Sequence, residues 1–99
     1  MELLTKELRE QLPPLYSQEH EADPLVICKF FTPDSTWTWY AFEFDGVDVF
    51  FGLVIGLEQE LGYFLLSELQ QARGPHRLPI ERDLQFKPTR LSAVRTWHR

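Results

Sequence analysis

Along the first part of the chain, Leu3, Leu4, Leu8 and Leu12 recur as one stripe on a helical surface. The spacing predicts an amphipathic helix over residues 2–12, with Thr5 as candidate N-cap. Pro13-Pro14 ends it, because a residue before proline is pushed out of helical angles. "YSQEHEADP" then reads as a polar, acidic loop. "LVICKFF", residues 25–31, is rich in β-branched and aromatic side chains and predicts a strand. The turn former "TPDST" separates it from "WTWYAFEF", which alternates. Thr38, Tyr40, Phe42 and Phe44 fall on one face; Trp37, Trp39, Ala41 and Glu43 fall on the other.

Asp45-Gly46 is the strongest hairpin signal, since this dipeptide suits a type I′ turn. A two-residue turn there sets Phe44 against Val47, Phe42 against Val49, Tyr40 against Phe51 and Thr38 against Leu53, a face expected to be core. The opposite face then pairs Glu43 with Asp48, Ala41 with Phe50, Trp39 with Gly52 and Trp37 with Val54. That second face requires cover from a helix or a partner. "LEQE" reads as a polar turn and "LGYFLL" as a third strand. "SELQQAR" predicts a short helix, with Ser67 and Gln70 as a capping box and Gly74-Pro75 as its stop. "LPIERDLQF", residues 78–86, alternates Ile80, Arg82, Leu84 and Phe86 against Glu81, Asp83 and Gln85, the pattern of a last edge strand. "RLSAVRTWHR" has the pattern of a weak terminal helix.

The fold class expected is α+β: an antiparallel β-meander of three to five strands, with the N-terminal helix and a short helix near 67–73 packed on it. Residues 1–86 are expected to form a single domain and 87–99 a basic C-terminal tail. At 99 residues, 43% apolar and 25% charged, the chain suits one globular core. The longest nearly uninterrupted apolar run, Val47 to Leu57, is far short of the roughly 20 residues of a membrane span. The charged N-terminus lacks the apolar stretch of a signal peptide, so no membrane association is expected. Cys28 is alone, which excludes an intramolecular disulfide and fits a reducing, cytoplasmic setting.

The net charge of −5 is unevenly divided. Residues 1–72 hold 3 Lys/Arg against 13 Asp/Glu, or −10, and residues 73–99 hold 7 against 2, or +5. Either the two parts face each other in one fold, or a basic patch meets an acidic partner or a second copy.

Several residue sets invite a chemical reading. Glu43 and Asp48, with Asp45 at the turn, place carboxylates together, where like charges opposed across a sheet are unfavourable. They fit a divalent-cation site, an acidic hook for a basic partner, or side chains splayed into solvent. Glu81 and Asp83 share a strand face, the geometry of an acid/base pair or of a solvated edge. Arg82 between them is expected to reach a carboxylate such as Glu68 or Glu60. His20, His76 and His98 stand at no ligand spacing, and no glycine-rich phosphate loop or nucleophile elbow occurs. No metal, cofactor or catalytic residue is therefore assigned. Lys87, Arg90, Arg95 and Arg99, with Trp97 interleaved, form a basic set able to contact a phosphate backbone. The −10 body repels nucleic acid within a Debye length of about 8 Å, so only a tail held apart serves that purpose.

The succession "KFFTPDSTWTWYAFEFDG … FFGLVIGLEQELGYFLLSELQQARGP … LPIERDLQF" resembles a small bacterial family catalogued as domain of unknown function 2958. The resemblance covers residues 3–90 and leaves "LSAVRTWHR" as this chain's own. It implies a stand-alone domain often carried on mobile elements, and it supplies no activity or catalytic residue. The function expected is a non-catalytic protein-interaction module, a mobile-element accessory or inhibitor engaging a nucleic-acid-handling protein. Trp37, Trp39 and Phe50 are the expected anchors, with Glu43, Asp45 and Asp48 steering the encounter. The alternatives are a metal-dependent hydrolase built on the carboxylates and a nucleic-acid binder built on the tail.

Overall fold

In a computed structural model of the chain, which describes residues 1–98, helix α1 spans Lys6–Gln11. Thr5 is its N-cap, its hydroxyl accepting from Leu8 N at 3.2 Å. The helix is shorter than the apolar spacing predicts: Leu3 and Leu4 precede it and Leu12 ends it, and all three are buried.

The expected strand at 25–31 divides at Ile27 into β1, Leu25–Val26, and β2, Cys28–Phe31. Strands β3 (Thr38–Phe44), β4 (Val49–Ile55) and β5 (Gln59–Leu65) follow, then helix α2, Leu66–Gln71. The expected edge strand at 78–86 narrows to β6, Glu81–Arg82. Strand β7, Thr89–Arg90, leads into helix α3, Leu91–Thr96. The main sheet is five-stranded and antiparallel, in the order β5-β4-β3-β2-β6, so β2 to β5 form a meander. A separate two-stranded ladder joins β1 to β7.

The β3–β4 turn differs from the expectation. Its loop holds four residues, 45–48, and Phe44 pairs with Phe50 rather than Val47. Asp45 is the cause: its N donates to Val49 O, while its Oδ1 accepts from the N–H groups of Val47, Asp48 and Val49 at 2.8–3.0 Å. An aspartate that gathers the backbone ahead of it stabilises a wider loop than the dipeptide alone suggests. Gly46, at φ +88°, supplies the left-handed residue. A bulge between Ala41 and Glu43 shifts the register again, leaving Tyr40 opposite Leu53 and Trp39 opposite Val54. Ala41, not Trp39, lies across from Gly52, and a Cβ at Gly52 would strike the Tyr40 carbonyl.

Both faces of the sheet are covered. On one, Phe30, Ala41, Phe50 and Phe64 pack with Leu3, Leu4 and Leu12 from the N-terminal segment and Leu66 and Leu69 from α2. On the other, Tyr40, Phe42 and Leu53 pack with Val26 and with Leu91 and Val94 from α3. Phe44 was expected beside Tyr40; the bulge resets the alternation and sends it to the first face, 4.6 Å from Phe50. Trp39 and Phe42 do lie on opposite sides of the sheet.

Helices α2 and α3 start alike. Neither N-cap residue uses its own side chain, and no capping box forms between Ser67 and Gln70. Asp48 instead accepts from Ser67 N and Oγ, both at 2.8 Å, and its carbonyl accepts from Leu66 N. Asp23 treats Ser92 the same way, at 2.8 and 2.6 Å, while Pro24 O accepts from Leu91 N.

Candidate functional site

The carboxylates at the β3–β4 end are committed to the fold. Glu43 lies opposite Phe51, not Asp48, so the like-charge pair expected from the sequence does not exist. Its side chain is buried, with Oε1 accepting from Tyr16 N at 3.0 Å and Oε2 from Gln18 N at 2.8 Å. A buried carboxylate persists because both oxygens meet fixed donors. Asp45 holds its own loop, and those three backbone donors, Val49 first, lower its carboxyl below the usual aspartate range. Asp48 holds α2. Phe50, expected beside the tryptophans on a face needing cover, is fully buried at 5.5 Å from Phe30 and 5.1 Å from Phe64. The chain's own helix and N-terminal segment supply that cover.

The 81–83 group also serves the backbone. Arg82 reaches no carboxylate among the described residues: its guanidinium donates to the carbonyls of Glu2 and Leu3, the latter at 2.9 Å. Asp83 pairs with Lys29 at 3.5 Å, half-exposed, and accepts from Gln85 N. Glu81 pairs with Phe31 in the ladder. Among the described residues, no group of three histidine, cysteine or acidic side chains is arranged to hold a metal. Burial pushes the Cys28 thiol up to about 12, the behaviour of an inert core sulfur.

The basic residues divide. Lys87 and Arg90 are exposed, with Arg90 also donating to Asp23 O at 3.2 Å; Arg95 is half-buried on α3; Arg99 lies outside the described residues. Leu91 and Val94 anchor this segment to the sheet. His98 caps the arrangement, its Nε2 2.6 Å from the Tyr40 hydroxyl and its carbonyl accepting from Gln59. Burial lowers the His98 pKa, with Lys29 adding to the effect.

The opposite end of the sheet is built differently. The 32–37 turn is closed by Thr32 N donating to Trp37 O at 3.0 Å, and this lifts Trp37 to the surface at 42% exposure. Its ring lies over Gly56, where a Cβ would sit 2.4 Å from the indole, and 6.1 Å from half-buried Trp39. Asp34 joins this turn to the loop after α2: Oδ2 accepts from His76 N at 2.7 Å, and Oδ1 presses on Gly74. The two indoles form a ridge between two clefts. One, about 290 Å³, is lined by Trp37, Val54, Leu57, Glu58 and Glu60. The other, about 340 Å³, runs between the tryptophans and Ala72, Pro75 and Ile80. Leu57 is 98% exposed at the rim.

The family model for a protein of unknown function, DUF2958, matches residues 3–97. The chain belongs to this family. Within DUF2958 the match runs past residue 90 and through α3 to residue 97, so all but the last two residues of the segment read as this chain's own are part of the shared domain. No curated protein and no solved structure matches the chain. In this DUF2958 member Trp37 and Trp39 are brought together as a surface, whereas Glu43, Asp45, Asp48 and Phe50 are not part of it. Sequence reasoning missed Leu57 and Glu58, passing over "LEQE" as a polar turn. The signal was a leucine with no place in either strand pattern beside two carboxylates.

Proposed function

We propose that this protein is a non-catalytic interaction module, and that the tryptophan ridge is where it engages a basic partner protein. The observation that carries the reading is the acidic cleft beside Trp37. Glu58 and Glu60 are exposed, and among the described residues neither has an ion-pair partner. An indole face next to carboxylates is the setting that receives an arginine or lysine side chain, through cation–π and charge attraction together. The partner this fits is a nucleic-acid-handling protein, whose basic groove accepts carboxylates where it otherwise meets phosphate. An accessory or inhibitor carried on a bacterial mobile element is the biological form of the reading. A cytoplasmic setting agrees with the single buried thiol of Cys28. The described residues contain no helix long and apolar enough to cross a membrane.

The test is affinity capture from the native host, followed by titration of the purified partner by calorimetry. Trp37→Ala is expected to weaken binding by at least about 2 kcal/mol, the scale of an aromatic hot spot. The double charge reversal E58K/E60K is expected to slow association and to invert its salt dependence. A partner bound equally by wild type and by both variants would remove the ridge from consideration.

A further inference from the structure

The two edges of the main sheet are managed differently. The β6 edge is only two residues long, and its Arg82 is tied to the N-terminal carbonyls. The β5 edge runs for seven residues, "QELGYFL", with no proline, lysine or bulge along it. Natural sheets usually blunt a long edge with one of those devices, since an open row of backbone groups pairs with any extended chain.

Which groups face outward follows from the ladder. Leu66 N donates to Asp48 O at 2.8 Å and Gly56 N to Glu58 O at 3.1 Å, flanking the pairs Val49↔Leu65 and Ile55↔Gln59. Those two are therefore non-hydrogen-bonded pairs, and by alternation Phe64, Gly62 and Glu60 turn their N–H and C=O toward β4. Gln59, Leu61, Tyr63 and Leu65 turn theirs to the open side, where no strand lies among the described residues. Leu61 and Tyr63 are also 47% and 56% exposed.

We propose that the β5 edge pairs antiparallel with the same edge of a second copy, about a two-fold axis at Gly62. This register satisfies three conditions at once. Leu61 meets the second copy's Tyr63 in a hydrogen-bonded pair, joining two outward-facing residues and stacking an aliphatic on an aromatic side chain. Glu60 meets Phe64, so no carboxylate opposes a carboxylate. Gly62 meets itself in the close, non-hydrogen-bonded position, where Cα atoms approach to about 4.5 Å. A Cβ built on Gly62 finds nothing within 4 Å in the single chain, so the protomer itself has room for a side chain there. The product is a continuous sheet through both copies. It does not depend on the ridge reading, which stands or falls with Trp37.

Sedimentation analysis across a concentration series, from micromolar to millimolar, is expected to show a monomer–dimer equilibrium. Gly62→Glu and Gly62→Lys should each weaken it by about tenfold or more, by opposing like charges on the axis. Mixing the two variants should restore the dimer, which a misfolded chain cannot do. Amide exchange should add a second sign: the outward N–H groups of 59, 61, 63 and 65 slow as concentration rises, while those of 60, 62 and 64 do not change. A wild type that stays monomeric throughout the series overturns the proposal. So does a dimer that both variants leave intact, a mixture that fails to re-form it, or an edge that binds only extended peptides.

Discussion

The two ends of the central sheet carry similar residues and use them in opposite ways. At the β3–β4 end, Glu43, Asp45 and Asp48 each accept hydrogen bonds from fixed backbone donors, and Arg9 lies 5.2 Å over the Phe44 ring. At the β4–β5 end, the Glu58 and Glu60 carboxylates hold no partner among the described residues, and Trp37 is exposed beside them. The same side-chain chemistry thus builds structure in one place and leaves a surface in the other. Orphan donors decide between them. Where the chain makes a wide loop and starts a helix, it exposes N–H groups that carboxylates satisfy; where β4 turns tightly into β5, few are left over.

This contrast ranks the effects of substitution. Glu43→Ala should be the most damaging, costing about 2–4 kcal/mol in chemical denaturation, because two N–H groups under the 13–18 loop lose their acceptor. Asp48→Ala should cost about 1–2 kcal/mol, the usual loss of a helix cap, read from the denaturant midpoint at unchanged slope. An Asp48 variant as stable as wild type would show that α2 does not need its distant cap.

Acid should then separate the ends further. The carboxyls of Asp45 and Asp23 are both held below their ordinary value, Asp45 by backbone donors and Asp23 chiefly by the Ser92 hydroxyl. A depressed folded pKa gives stability that is fully present above the unfolded value, near 3.8, and is lost below it as pH falls through the lower folded value. The urea midpoint should therefore drop on acidification below that value, and drop less in an Asp23→Asn, Asp45→Asn chain. The smallest effect belongs to the other end: the E58K/E60K chain should match wild-type stability within about 0.5 kcal/mol. A large loss there would mean that those carboxylates are structural after all.

How much of this was legible depended on the range of the forces involved. The alternation of "WTWYAFEF" separated Trp39 from Phe42 correctly, because the strand period belongs to the backbone and survives a register error. The Asp45-Gly46 signal located the reversal but not its width. The width depends on what the Asp45 carboxylate gathers, and a dipeptide rule does not contain that. The bulge at Phe42 left no local mark, and with it went the position of Phe44. Arg82 looked ready for a carboxylate, yet it found the backbone of Glu2 and Leu3, residues placed beside it only by folding. The candidate surface was half visible: two tryptophans were evident, whereas Leu57 and the role of Glu58 required knowing which acidic residues the fold leaves free.

Remote capping has a consequence for how the chain organises. Helices α2 and α3 span six residues each, well under the roughly 12–15 at which an isolated helix becomes even marginal in water. Their starts are fastened by Asp48 and Asp23, 19 and 69 positions earlier in the chain. Neither is stable by itself, so each helix depends on contacts that only the folded chain supplies. The pairing of Leu25 with Arg90 ties the start of α3 to the far end of the chain in the same way. Denaturation should accordingly be one concerted event, and trimming a few residues beyond Arg90 should loosen the segment around Asp23 as well.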